Sequence, residues 1–228
     1  DRDHAEQHAV LHDRQMPETF FDGIVKLGYG SRTKILKYDL DLSRGHLMKF
    51  PFEAGVIKGS YGGGSLEFDR LYFESPTHRV EAYGTIDASG MMRIFADLVC
   101  SRDDTLFNYF NIGDYRADLD ISGVWEGDLE DWEMIANGRC ADFRYKMADV
   151  PGGDVNLILR NSGGFQFFME MRGDSCNIGS MGFSEMDLSM EFIDGVTRIK
   201  RLILARDNIT AVMGMEISGT PENAKVKV

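Results

Sequence analysis

This sequence has few of the residues that break or crosslink a chain. There are 5 prolines and 3 cysteines among 228 residues. So few prolines leave room for long uninterrupted strands. The cysteines, Cys100, Cys140 and Cys176, are too widely spaced for a zinc site or a disulfide framework. Their spacing predicts small buried hydrophobic residues and leaves one disulfide open.

Basic charge and long hydrophobic runs are also scarce. Lys and Arg total 25 against 37 Asp and Glu, a net charge of −12. With no basic run and no basic–aromatic interleaving, we expect no nucleic-acid partner. No segment approaches the roughly 18 consecutive apolar residues of a membrane span. The chain starts without Met or a signal peptide and ends in "NAKVKV", like the start of a strand, so we expect a fragment of a longer protein.

Catalytic signatures are missing as well. The chain contains no G-x-S-x-G, phosphate loop, H-E-x-x-H or D-x-D-x-D-G loop, and no plausible Ser/His/Asp set. His4, His8 and His12 are spaced to share a helix face, an arrangement that can ligate a metal. A short terminal helix is a frayed scaffold, so a solvated or packing helix is the preferred interpretation. We therefore expect no enzyme, no cofactor and no metal.

What the chain does contain is alternation of apolar and polar residues along most of its length. In "SEMDLSMEF" (184–192), Met and Leu residues followed by Phe192 fall on one side of an extended chain, and acidic residues and serines on the other. Similar stretches recur about every ten to fifteen residues, separated by turn signals such as "YGGGS" and "PGGD". This pattern predicts a mainly antiparallel β-meander.

The apolar sides of these strands are the candidate binding surface. A sandwich core is the ordinary use of such faces. The chain holds 13 Met, however, and flexible Met suits changing partners such as lipid tails. The predicted lining residues are Leu36, Tyr38, Leu40, Leu119, Ile121, Leu157, Leu159, Phe165, Phe167, Met169, Met171, Met186, Leu188, Met190, Phe192, Met213 and Met215.

Two segments depart from the strand pattern. Residues 1–16 are predicted to form a short helical lead-in that ends before Pro17. "SRDDTLFNYFN" (101–111) is predicted to form a second short helix. The remainder, 17–228, is predicted to be a single elongated β domain.

Two segments of the strand region share a plan. Residues 66–90 and 197–219 each have an x-Arg-Leu-apolar-apolar strand, a polar turn, and a Gly-containing strand that closes on Ser-Gly. This echo suggests one supersecondary unit used more than once along an extended sheet. Together with "DLDISGVWEGDLEDWEMIANGRCADFRY" (118–145), the pattern resembles the repeating β-strand region of the TamB and AsmA-like proteins. The resemblance covers roughly residues 19–220.

That resemblance implies an elongated, incompletely closed β-sheet, a "taco" whose apolar inner surface carries phospholipid acyl chains. Members of the family are similar in plan to bridge-like lipid transfer proteins. They are anchored in the bacterial inner membrane by an N-terminal helix and project into the periplasm. The implied function is non-enzymatic lipid transfer between the envelope membranes, with envelope membrane proteins as possible partners at the ends. The family has no catalytic signature, so no functional residue is carried over.

One acidic segment supports different functions. "VWEGDLEDWE" (124–133) places Trp125 and Trp132 among five carboxylates, an arrangement found in sugar-binding sites and in glycosidase carboxylate pairs. The alternative function is therefore a closed β-sandwich that binds carbohydrate, and a weaker one is a glycosidase-type hydrolase. An acidic turn with two edge aromatics is the preferred interpretation.

Overall fold

The computed structural model describes residues 20–47, 50–101, 115–145, 148–193, 196–218 and 225–227. All regular structure within these ranges is β-strand. The predicted lead-in helix lies outside them, as does the predicted second helix apart from Ser101. In chain order the strands are β1 (Phe20–Gly30), β2 (Ile35–Leu47), β3 (Phe50–Phe52), β4 (Ala54–Gly62), β5 (Ser65–Glu74), β6 (His78–Ile86), β7 (Met92–Cys100), β8 (Tyr115–Gly127), β9 (Trp132–Tyr145), β10 (Ala148–Asn161), β11 (Phe165–Gly173), β12 (Cys176–Ile178), β13 (Met181–Phe183), β14 (Glu185–Ile193), β15 (Val196–Arg206), β16 (Ile209–Ser218) and β17 (Lys225–Lys227).

The strands form one antiparallel meander of 17 strands. Two places depart from simple succession. Strand β2 pairs with both β3 and β4, and β11 pairs with β14 across a small β12–β13 hairpin that is attached to β10. Within the described ranges β1 pairs only with β2, and the sheet is not closed into a barrel. The predicted all-β, open antiparallel sheet is thus confirmed, and the strands do not divide into the two sheets of a sandwich.

The register of the sheet assigns each strand residue to one of two faces, because directly opposed residues project to the same side. Leu119 of β8 opposes Cys100 of β7 and Cys140 of β9. Met171 of β11 opposes Leu188 of β14 in the same way. When such pairs are followed from β1 to β16, one side is almost wholly apolar and the other is mainly polar. We name these the inner face and the outer face.

Bulges and closely approached glycines occur along the sheet. Register shifts interrupt several of the strand pairs. Gly59 and Gly84 oppose Phe68 from its two neighbouring strands. A Cβ on Gly59 would lie 2.0 Å from the carbonyl oxygen of Glu67, so no larger residue fits there. Bulges and closely approached glycines are the ordinary means of curving a sheet.

The echo in the sequence corresponds to a repeated bulge in the structure. The register between β5 and β6 shifts between Phe68 and Leu71, and that between β15 and β16 shifts between Ile199 and Leu202. The pairing of β5 with β4 and the pairing of β15 with β14 shift at the same points. Asp69 and Lys200 are the extra residues, with no direct partner in β4 and β14 respectively. The same bulged unit is therefore used twice in the sheet.

Buried apolar residues gather toward one end of the strands, where β3 and the β12–β13 hairpin also lie. Leu42, Phe52 and Phe73 form a small cluster in which the rings of Phe52 and Phe73 have centroids 5.1 Å apart. The larger cluster spans β7 to β15. Its buried members are Cys100, Ala117, Leu119, Ile121, Cys140, Val150, Val155, Met171, Cys176, Met186 and Leu204.

The outer face carries ion pairs that join neighbouring strands. Arg93 lies 2.8 Å from Glu126, Lys58 lies 3.4 Å from Asp39, and Arg160 pairs with Glu133. These side chains are partly or mostly exposed, so each pair contributes about 0–1 kcal/mol. These charged groups make this side of the sheet polar and keep it solvated.

Candidate functional site

The structure places every predicted lining residue on the inner face. In β2, Leu36 opposes Tyr61 and Leu40 opposes Ile57 of β4, and this register places the predicted residues of β2 on the inner face. Leu119, Ile121 and the later residues follow through the registers of β7 to β11 and β14 to β16. The alternation in the sequence therefore identified one continuous surface.

Met and Phe side chains concentrate on the inner face where β11 and β14 meet. Met169 opposes Met190, and Phe167 opposes Phe192. The ring centroids of Phe165 and Phe192 are 6.4 Å apart. All five side chains are half-buried. Unbranched thioethers and tilted rings can repack around a ligand of irregular shape.

Burial on the inner face is graded. Met171 is 2% exposed within the larger cluster, whereas Leu27 at the β1 edge is 66% exposed and Met213 in β16 is 38% exposed. Between these limits most inner-face residues are half-buried, since neighbouring side chains flank them but no second sheet packs on them among the described strands. This is the geometry of an open apolar face.

Sequence reasoning missed inner-face residues in two places. Val25, Leu27 and Tyr29 of β1 oppose inner-face residues of β2, but the apolar Ile24 beside them obscures the alternation. The other missed residues lie in strands whose bulges interrupt the alternation. Leu71 and Leu202 stay on the inner face only because two residues intervene after Phe68 and Ile199.

The polar atom of Tyr38 is bound to the sheet itself. Its hydroxyl donates a hydrogen bond of 2.7 Å to the carbonyl oxygen of Glu67. Burial, together with the charges of Asp69 and Glu67, raises the pKa of Tyr38 above its ordinary value. The part of Tyr38 that is left to the inner face is therefore its ring.

The two tryptophans lie on the inner face, near the β8–β9 turn. Trp125 opposes Ile94 and Met134, and it meets Trp132 edge to face with ring centroids 5.4 Å apart. The indole N–H of Trp125 is buried and has no hydrogen-bond partner among the described residues. At the end of the strands, Trp132 also lines a concavity of about 640 Å³ together with the outer-face residues Glu126, Glu133 and Arg160. The rings pack against one another and do not form two free sugar platforms.

Three of the five nearby carboxylates are paired with an arginine or bound in a turn. Glu126 and Glu133 oppose one another on the outer face, and each pairs with an arginine of the next strand. Asp128 accepts hydrogen bonds of 2.7 Å from the backbone N–H groups of Glu130 and Asp131, which lower its pKa. This arrangement is that of the predicted acidic turn.

The three cysteines are buried in the larger cluster as thiols and form no disulfide with one another. Burial, with a smaller effect from the charge of Asp118, raises the pKa of the Cys140 thiol to about 11. Burial also raises the pKa of Cys176. Their predicted role as small hydrophobic residues is confirmed, and the open question of a disulfide is answered in favour of reduced thiols.

Neither a metal-binding cluster nor a membrane-spanning helix is found in the described ranges. No group of three or more potential ligands there is placed to hold a metal ion. None of the structure in that part of the chain is a helix of sufficient length and apolarity to cross a membrane. His4, His8 and His12 lie outside the described residues.

Comparison with protein-family models, with curated proteins and with solved structures finds no match for this chain. The resemblance to the TamB and AsmA-like proteins therefore depends on sequence pattern, and the site is interpreted from its own geometry.

Proposed function

We propose that the inner face binds the acyl chains of phospholipids and that the protein carries lipids along this groove without catalysing a reaction. The observation that supports the proposal is the continuity of the apolar inner face from β1 to β16, with no second layer over it among the described strands. An exposed apolar surface of this extent on a β-sheet ordinarily has a partner.

The dimensions of the face suit acyl chains. At ~4.8 Å between strands, the long strands give a surface of ~60 Å along the sheet. Each methylene that leaves water for this surface contributes about 0.8 kcal/mol. Several acyl chains therefore gain enough from burial to bind without a specific polar contact, which explains how a transfer groove works without a catalytic motif.

Transfer by this route is passive. The groove lowers the cost of moving apolar chains through water, while the ion-paired outer face stays solvated. Direction is set by the membranes or partner proteins at the two ends. With the resemblance stated above, the setting we propose is the periplasm, between the membranes of a bacterial envelope.

The alternative functions have less support from the geometry. A carbohydrate site built on Trp125 and Trp132 needs exposed rings, and these two face each other on the inner side. A glycosidase needs one protonated and one free carboxylate, whereas Glu126 and Glu133 are each held by an arginine.

Mass spectrometry of organic extracts from the purified protein tests the proposal. We expect phospholipid to co-purify with the unmodified protein. Phe167→Glu and Met190→Glu place a charge in the Met- and Phe-rich part of the groove, and we expect both to reduce the bound lipid at least tenfold, since a buried charge is costly against hydrocarbon.

The matched control is Gln166→Glu. It adds the same charge to the same strand, one residue away, on the outer face. We expect this variant to retain its lipid. A lipid-free unmodified protein, or equal lipid loss in Gln166→Glu and Phe167→Glu, would contradict the proposal.

A further inference from the structure

One row of side chains on the outer face differs from the rest of that face. Consecutive direct pairs from β6 to β11 place apolar side chains opposite one another. We call this row the outer ladder. It consists of Tyr83, Phe95, Val124, Ile135, Ile158 and Phe168.

The aromatic end of the outer ladder is a stacked platform. The rings of Tyr83 and Phe95 have centroids 5.1 Å apart and are inclined by only 15°. The guanidinium of Arg93 lies over Phe95, 5.4 Å from the ring centroid. Tyr83 is 53% exposed, whereas Phe95 is half-buried, so solvent reaches the platform at its Tyr83 end.

The row beside the outer ladder is polar but lacks the ion pairs found elsewhere on the outer face. Asp97 opposes Ser122, Ser122 opposes Asn137, and Asn137 opposes Asn156. None of the four side chains has a hydrogen bond or an ion pair within the described part of the chain, and Asp97, Ser122 and Asn137 are exposed. They therefore present free donors and acceptors of short reach next to the apolar row.

The platform and the polar row meet in a shallow concavity of about 530 Å³. Tyr83 and Phe95 line one part of it, and Asp97, Ser122 and Asn137 line the adjoining part. The whole ladder crosses six strands, a length of ~24 Å at the usual strand spacing. The concavity itself spans β6 to β9, ~14 Å by the same spacing, so it is longer than one sugar unit and only shallowly recessed.

We propose that this concavity binds an oligosaccharide of uncharged sugar units. The exposed Tyr83 ring takes the C–H face of a pyranose, and the amide, hydroxyl and carboxylate groups of the polar row take its hydroxyls, which need partners when they leave water. Arg93 and Glu126 also line the concavity but are paired with each other, so the unpaired carboxylate of Asp97 disfavours an anionic chain. An aliphatic lipid tail is a poor fit, because it would leave the polar row unpaired. The site lies on the opposite side of the sheet from the groove, so it does not depend on the proposed lipid function.

Calorimetric titration of the whole chain with hexamers of a β-linked neutral hexose and of a β-linked N-acetylhexosamine tests the proposal. We expect saturable binding of at least one hexamer with a Kd below about 1 mM. Tyr83→Ala with Phe95→Ala is expected to weaken it at least tenfold. Asn137→Ala, which removes an exposed side chain and leaves the rings in place, is expected to weaken it about threefold to tenfold.

Two control variants show whether binding is confined to this concavity. Val212→Ala removes an exposed apolar side chain from the outer face, far from the ladder, and Phe167→Glu alters only the inner face. Both are expected to bind the hexamer as the unmodified protein does. No saturable binding of either hexamer, or binding that survives both Tyr83→Ala with Phe95→Ala and Asn137→Ala, would overturn the proposal and leave a protein partner as the occupant to test.

Discussion

The inner and outer faces of this sheet are built from alternate residues of the same strands, yet they are stabilised in different ways. Met171 is 2% exposed in an apolar cluster, while the side chain of the next residue, Arg172, is 79% exposed beside Asp187. The inner face gains stability from packing, and the outer face gains little from its ion pairs. An open sheet can therefore be stable with one apolar side uncovered, provided that part of that side packs against itself.

Curvature makes this arrangement possible. The bulges at Asp69 and Lys200 and closely approached glycines such as Gly59 are the kind of feature that curves a sheet. Side chains from neighbouring strands then bury one another near one end of the strands and remain half-exposed elsewhere. The buried part holds the fold, and the half-exposed part is the surface that we propose for lipid.

The largest effect that we predict compares neighbouring residues on the two faces. Met171→Ala is expected to lower the free energy of unfolding by about 2–5 kcal/mol, because it leaves a cavity in the larger cluster. Arg172→Ala is expected to lower it by no more than about 1 kcal/mol, because its ion pair is exposed. Urea unfolding followed by circular dichroism measures both. Equal destabilisation would show that the two faces do not differ as described.

A smaller effect is predicted for the one buried charge on the outer face among the described residues. Glu191 is 6% exposed, lies 2.6 Å from the Lys200 ammonium and 3.5 Å from the Arg198 guanidinium, and opposes Phe168. Glu191→Ala is expected to cost about 1–3 kcal/mol, since it removes charge-assisted contacts from a desolvated position.

The exposed pair partner Glu216→Ala serves as the control for Glu191→Ala. It removes a contact to Arg198 of 3.0 Å from a side chain that is 46% exposed. The same unfolding assay is expected to show a loss below about 1 kcal/mol. A larger loss of stability for Glu216→Ala than for Glu191→Ala would mean that burial does not determine how much an ion pair on the outer face contributes.

A further prediction concerns the pKa of Cys140. Because its folded value is about 11, against an ordinary value of 9.0, folding favours the protonated thiol. The resulting contribution to stability is fully present below about pH 9 and is lost as pH rises toward about 11. Alkylation by iodoacetamide at pH 8, read by mass spectrometry, should be slow in the folded protein and fast in denaturant. Rapid modification of Cys140 in the folded protein would contradict the burial of its thiol.

The sequence predicted the inner face well where alternation is regular. In β14, "EMDLSMEF" alternates without interruption, and in β11, "FQFFMEM" departs from alternation only at Phe168. Met169 and Met190 were assigned to the correct side. The bulged strands were harder, because an extra residue such as Lys200 changes the parity without any mark in the composition. Strand pairing alone reveals that Ile199 and Leu202 share a face.

The outer ladder could not be predicted because its members lie within apolar runs. In "RIFADLV" and "VNLIL", residues of both faces are apolar, so Phe95 and Ile158 look like core residues. Their alignment into one row also depends on the register of six strands. Local pattern carries no information on such long-range register.

Photo-crosslinking at adjacent positions tests the central claim most directly. A benzophenone amino acid would replace, one at a time, Met169 and Met190 on the inner face and Glu170 and Ser189 on the outer face, which are directly opposed in pairs. After irradiation in cells that contain radiolabelled phospholipid, we expect labelled protein for the two Met positions and background for the other two. Labelling of all four positions, or of none, would contradict the account that lipid lies along the inner face.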